Sequence, residues 1–89
     1  MENMEILRNE IDKIDDEIVK LFIRRMEICG KIAKEKEKSN MPIFVQGRES
    51  QIIERLTEKC SEEIKEYVEN LYDAIFSQSR NYQKKVINK

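Results

Sequence analysis

The sequence predicts an all-α fold in which one long N-terminal helix is followed by two shorter helices. Composition is the first reason: 39% of the residues are charged, 39% are hydrophobic, and the 89 residues include only two Gly and one Pro, the residues that break helices. The second reason is periodicity, since apolar residues recur every three or four positions over most of the chain. A chain of this length is expected to form a single domain, residues 1–89.

The first helix is predicted over residues 3–38, where nothing interrupts the three-and-four spacing. The stretch KSNMPIFVQG ends it, because Pro42 disfavours helical dihedrals at the residue before it and Asn40 suits a turn. A second helix is predicted at about 47–59, and Ser61 is expected to cap the third. The apolar face of the third helix consists of Ile64, Val68, Leu71, Ile75, Tyr82 and Val86.

The predicted length of the first helix implies a partner. At 1.5 Å per residue this helix would be about 54 Å long, whereas a globule of this size is about 25 Å across. Its apolar stripe continues along the overhang, so the simplest cover is a second copy in an intertwined two-fold homodimer. A lone extended hairpin or coiled-coil arm is the alternative.

Two long cations interrupt this stripe. With about 100° per residue, Lys36 lies about 20° from Arg25 on the helical projection. A single cation in an apolar stripe commonly either fixes the register of helix pairing or extends its charged end to the solvent. Two of them need anions, because unpaired buried charge is costly, and either protein carboxylates or a ligand can supply them. The stripe around them consists of Leu7, Ile11, Ile14, Ile18 and Ile32.

Further polar residues can complete a site with these cations. Glu49 lies on the apolar side of the second helix beside Arg48, although an acid in a first turn also complements the helix dipole. Ser79 and Gln83 lie one turn apart and can face one cavity, although both also fit the polar edge of an amphipathic helix. This set suits a ligand that carries carboxylates and a hydroxyl, and it suggests chemistry by positioning and electrostatics.

Several other classes of function are disfavoured by the composition. The chain has no His, and Cys29 and Cys60 have no metal-ligand spacing, so we expect reduced thiols, no metal and no cofactor. A net charge of -1 gives no field that attracts nucleic acid or an anionic membrane. There is no apolar run of about 18 residues and no signal peptide in MENMEILRNE, so the cytoplasm is expected.

The segments LRNEIDKIDDEIVKLFIRRMEICGKIAKEK, PI, GRES and SQSRNYQ, in this order, closely resemble the all-helical chorismate mutases. The resemblance covers nearly the whole chain, and it implies a three-helix protomer in an intertwined dimer with two equivalent sites. The family reaction rearranges chorismate to prephenate. One C–O bond breaks and one C–C bond forms within a single molecule, without a cofactor or a covalent intermediate.

The resemblance also implies roles for the cations of the first helix. Arg25 and Arg8 would bind the side-chain carboxylate, and Lys36 would reach the ether oxygen and a carboxylate. Arg8 lies about 25 Å along the helix from Arg25 and about 100° around it. One small substrate cannot touch both on the same helix, so Arg8 is expected to serve the site of the partner chain.

The remaining implied roles fall on the second and third helices and the residues before them. Glu49 would accept from the ring hydroxyl, Arg48 and Ser79 would attend the ring carboxylate, and Gln83 would donate to the ether oxygen. Val45 departs from the family pattern, which can carry an acidic residue there. Val45 can substitute if that residue acts through its backbone N–H.

Two rival functions stay open at this point. An isochorismate-pyruvate lyase of the same fold is the nearest, and the mutase is preferred because Glu49 and Ser79 match its pattern. A non-enzymatic helical interaction module is the rival from another class, and it predicts mild effects of Arg25→Ala and Lys36→Ala.

Overall fold

A computed structural model of the protein describes residues 3–88. It contains three helices, α1 (Met4–Lys38), α2 (Gln46–Thr57) and α3 (Glu62–Ile87), and no strand among the described residues. The prediction of an all-α chain with one long first helix is therefore confirmed. None of the helices in the described part of the chain is long and apolar enough to cross a membrane.

The ends of α1 follow from local hydrogen bonds. The side-chain Oδ1 of Asn3 accepts from the backbone N–H of Ile6 at 3.0 Å, so the helix begins with a side-chain cap. At the other end the N–H of Ser39 donates to the carbonyl of Glu35 at 3.1 Å. Asn40 then adopts a φ of 55°, a left-handed conformation that asparagine tolerates, and the helix stops as predicted.

The second helix and the start of the third differ slightly from prediction. α2 ends at Thr57 rather than near residue 59, because the N–H of Cys60 donates to the Thr57 carbonyl at 3.0 Å and closes a turn. Ser61 occupies the N-cap position of α3 with an extended ψ of 154°, but its side chain makes no capping hydrogen bond. The prediction was right about the position of the cap and wrong about the hydroxyl.

The helix α3 holds the chain together, since it packs against both α1 and α2. The buried apolar residues of the described chain are Cys29, Ala33 and Phe76, so the core of one chain is very small. The molecule measures 57 × 29 × 15 Å, because α1 extends well beyond the region that α3 covers.

Most of the apolar stripe of α1 is therefore exposed in one chain. Ile11, Ile14 and Ile18 keep 58%, 57% and 55% of their surface exposed. The chain exposes 7621 Å², whereas a compact monomer of its mass would expose about 5,500 Å². The excess of about 2,100 Å² is in the range that each partner buries in a large obligate dimer.

Candidate active site

Seven of the eight predicted site residues line one cavity. Its volume is about 510 Å³, and it lies between the C-terminal half of α1, the start of α2 and the C-terminal half of α3. Within residues 3–88, Glu49 is the only acidic residue that lines it, and most of the remaining wall is apolar. The seven predicted residues are Arg25, Lys36, Val45, Arg48, Glu49, Ser79 and Gln83.

Arg25 is held in the cavity by α3. Its Nη1 donates to the Ser79 Oγ at 2.8 Å, and its guanidinium carbon lies 5.8 Å from the ring centroids of both Tyr72 and Phe76. Neither of the two ion pairs formed within residues 3–88 involves Arg25. Its other N–H groups are thus available to an anionic ligand, while the contacts with α3 fix its direction.

Lys36 is held by the segment between α1 and α2. Its Nζ donates to the Ile43 carbonyl at 2.6 Å and to the Gln83 Oε1 at 3.4 Å. Gln83 is only 6% exposed, and this contact uses its oxygen. The two amide N–H donors of Gln83 remain for a ligand, because an amide has one acceptor end and one donor end.

Glu49 forms an ion pair that the sequence analysis missed. It lies in the first turn of α2, and both of its carboxylate oxygens accept from Nη1 of Arg80, at 2.7 and 2.6 Å. A signal was present, since Arg80 comes three residues before Gln83 and therefore lies near it on α3. Nothing local to residue 80 identified its partner 31 positions earlier in the chain.

The other cavity residues take part in different ways, Ser79 by buried side-chain hydrogen bonds, Val45 by its backbone and Arg48 at the surface. The Ser79 hydroxyl donates to the Ile75 carbonyl at 2.8 Å while its oxygen accepts from Arg25. Val45 is the N-cap of α2, and its carbonyl accepts from the N–H groups of Arg48 and Glu49 at 3.1 and 3.3 Å, with no side-chain cap. The Arg48 side chain is exposed.

Arg8 is the one predicted site residue that does not reach the cavity of its own chain. It lies on the exposed N-terminal part of α1, about 25 Å along the helix from Arg25. The contribution of Arg8 to the site of a partner chain stays a prediction.

Taken together, three cations and one paired acid surround a partly apolar space. The formal charge of the lining is positive, and the two buried neutral side chains, Ser79 and Gln83, add directional hydrogen bonding. The arrangement suits a small ligand with more than one carboxylate, held in one orientation.

Comparison with known proteins agrees with this chemistry. The sequence profile of the family described as Chorismate mutase type II matches residues 7–84. A bifunctional chorismate mutase/prephenate dehydratase from Aquifex aeolicus is 34% identical over 92 residues, which cover 97% of this chain and 25% of that protein. A chorismate mutase from Methanocaldococcus jannaschii is 32% identical over 62 residues, covering 70% of this chain and 63% of that protein.

A solved structure is also similar over nearly its whole length. The crystal structure of chorismate mutase from Helicobacter pylori in complex with prephenate matches with a TM-score of 0.87 and 33% identity, covering 97% of this chain and 94% of that one. The chain spans about a quarter of the length of the Aquifex protein, so the similarity to that relative concerns one part of it. Because the family profile covers most of the chain and the fold agrees with a solved relative, this chain belongs to the chorismate mutase type II family.

Proposed function

We propose that the chain catalyses the rearrangement of chorismate to prephenate. The observation that carries the proposal is the convergence of three cations, one carboxylate and two buried neutral side chains on one cavity in a chain of this family. The reaction is unimolecular: the ether C–O bond breaks, a C–C bond forms, and every atom of the substrate remains in the product. It needs no nucleophile, no cofactor and no second reactant.

Binding of the two substrate carboxylates is the first task of the site. Arg25 would bind the side-chain carboxylate. Arg48 would bind the ring carboxylate, joined by the Ser79 hydroxyl when it turns from the Ile75 carbonyl. The contact of Arg25 with Ser79 at 2.8 Å supports a fixed guanidinium, which loses little freedom when the anion binds. Binding of both carboxylates would fold the flexible side chain of the substrate over its ring, so that the reacting carbons start close together.

Stabilisation of the developing charge is the second task. As the C–O bond breaks, the ether oxygen gains negative charge, and Lys36 and Gln83 would bind it more tightly than in the ground state. The contact between Nζ of Lys36 and Oε1 of Gln83 supports this role, because it turns the N–H end of the amide away from the ammonium. Glu49 would accept a hydrogen bond from the ring hydroxyl.

The active form is proposed to be an intertwined homodimer in which Arg8 of each chain enters the site of the other. The exposed stripe of α1 and the excess surface of about 2,100 Å² support a large apolar interface. The position of Arg8 outside its own cavity supports a shared site, since only a second chain could bring it to a substrate.

The remaining aspects of the proposal concern organisation and location. We propose that residues 1–89 act as one domain, because the family profile and all three helices fall in a single continuous stretch. A cytoplasmic location is supported by similarity to the intracellular chorismate mutase of Mycobacterium tuberculosis, which is 40% identical over 55 residues. Those residues cover 62% of this chain and 52% of that protein.

The direct test is an assay of the purified chain on chorismate, with prephenate identified as the product. Arg25→Ala should abolish most of the activity, because it removes the half-buried guanidinium that would bind the side-chain carboxylate. Arg24→Ala is the matched control, since the neighbouring arginine is exposed on another face of α1 and outside the cavity. We expect the control to keep full activity.

Two outcomes would contradict the proposal. Release of pyruvate from isochorismate, without turnover of chorismate, would identify the chain as a lyase of the same fold. The interaction module would be favoured if the folded chain turned over neither substrate and if Arg25→Ala and Arg24→Ala did not differ in activity.

A further inference from the structure

The acid that lines the cavity, Glu49, is held by an arginine from outside the cavity. Arg80 on α3 donates from one nitrogen to both carboxylate oxygens of Glu49 on α2, at 2.7 and 2.6 Å. The ring of Phe44, just before α2, lies 5.0 Å from the guanidinium carbon and restrains it. Among the described residues Arg80 is not part of the cavity lining, whereas Glu49 is. The guanidinium therefore fixes the carboxylate and leaves its cavity side open.

This pair is partly buried between α2 and α3. The two side chains keep 30% and 23% of their surface exposed, so the guanidinium restrains the carboxylate as well as linking the two helices. The pair does answer a requirement of the proposed reaction, in which a dianionic substrate enters a cavity that already contains a carboxylate. Without a compensating cation, the substrate carboxylates would repel the Glu49 carboxylate, which would then turn away from the substrate.

We propose that Arg80 is a positioning residue, which keeps the Glu49 carboxylate directed at the ring hydroxyl of the substrate. The inference rests on the proposed function. Each carboxylate oxygen can accept two hydrogen bonds, and the contact with Arg80 uses one on each oxygen. An acceptor position therefore remains for the hydroxyl. Arg80 acts only through Glu49, since it lines no part of the space that the substrate would occupy.

The test compares Arg80→Met and Arg80→Lys with the unchanged chain. Methionine keeps much of the length and removes the charge, and we expect kcat/KM on chorismate to fall about 10- to 100-fold, mostly through KM. Lysine restores the charge but not the planar guanidinium that lies against the Phe44 ring, so it should recover kcat/KM only in part. Arg55→Met is the matched control, because Arg55 is exposed on the same helix as Glu49 and its loss changes the net charge equally.

A modified substrate separates positioning from a structural effect. A chorismate analogue with hydrogen in place of the ring hydroxyl offers Glu49 nothing to accept, so Arg80→Met should turn it over within about twofold of the unchanged chain. In a Glu49→Gln background, Arg80→Met should likewise change kcat/KM on chorismate by less than about threefold. A variant that merely loosened the contact of α2 with α3 would lose activity equally on both substrates.

The outcomes distinguish this inference from the proposed function. Full activity of Arg80→Met on chorismate, or an equal loss on both substrates, overturns the positioning role and leaves the mutase proposal intact. Failure of the unchanged chain to convert chorismate overturns both. Should Arg80→Met not fold, Arg80→Lys carries the test: a loss on chorismate that the analogue does not share supports the inference, and the same loss on both substrates, or no loss on either, overturns it.

Discussion

Replacing Ile14 by Gln should dissociate the proposed homodimer. Complete burial of an isoleucine contributes about 1.5–3 kcal/mol. Ile14 keeps 57% of its surface exposed in one chain, so the partner can contribute about 1–1.7 kcal/mol per chain. Burying an amide without partners adds a cost of about 1–3 kcal/mol in each copy. With two copies in the interface, the change should cost at least about 4 kcal/mol, or a factor of about 1,000 in the dissociation constant.

Sedimentation equilibrium over a series of chain concentrations measures this constant. Asp16→Gln is the control, because it introduces the same side chain two residues away on the opposite, exposed face of α1. The reasoning is refuted if the unchanged chain sediments as a monomer at micromolar concentration. It is also refuted if Ile14→Gln and Asp16→Gln dissociate equally, since the stripe would then not form the interface.

Three further predictions concern the cavity. Lys36→Ala should lower kcat by about 100- to 1,000-fold with unchanged thermal unfolding. The control is Lys34→Ala, because Lys34 is an exposed lysine on the same helix. Near-full activity of Lys36→Ala would show that this ammonium takes no part in the mechanism. Refolding an equimolar mixture of inactive Arg8→Ala and Lys36→Ala chains should restore about a quarter of normal activity. Half of the dimers would be heterodimers, and each of these would have one intact site of two. Confirmed heterodimers without activity would refute the shared site. Gln83→Glu should be nearly inactive at neutral pH and gain activity toward about pH 5. The reason is that burial and the substrate carboxylates raise the pKa of the introduced carboxyl more than Lys36 lowers it. A flat pH profile at normal activity would show that this position does not face the ether oxygen.

Local signals explain which parts of the fold could be predicted. The end of α1 was predictable because Asn40 and Pro42 both act on the backbone at their own positions. The end of α2 was less predictable, because Glu58 and Lys59 favour a helix as strongly as the residues before them. A single hydrogen bond, from the N–H of Cys60 to the Thr57 carbonyl, decides where α2 ends. Nor could the sequence show that the Ser61 hydroxyl makes no capping bond, since that depends on the rotamer.

Cavity residues were predictable where the helical periodicity determines the position of the side chain. They were less predictable where contacts between helices determine it. Arg25 and Lys36 were identified because cations in an apolar stripe conflict with the pattern around them. Arg80 conflicts with nothing, since an arginine at the edge of an amphipathic helix is ordinary, and only the approach of α2 to α3 gives it a partner. The hydrogen bond from Lys36 to the Ile43 carbonyl was likewise hidden, because a backbone acceptor has no sequence signature.

The exposed stripe on α1 has a kinetic consequence for a newly made chain. The buried apolar residues of one described chain are so few that little holds a single copy folded. For the proposed homodimer, acquisition of the native state then includes a second-order step, whose rate rises with the concentration of chains. Until that encounter, α1 presents a long apolar surface to proteases, to chaperones and to other nascent chains. The rate of synthesis therefore influences how much of the protein survives to become native.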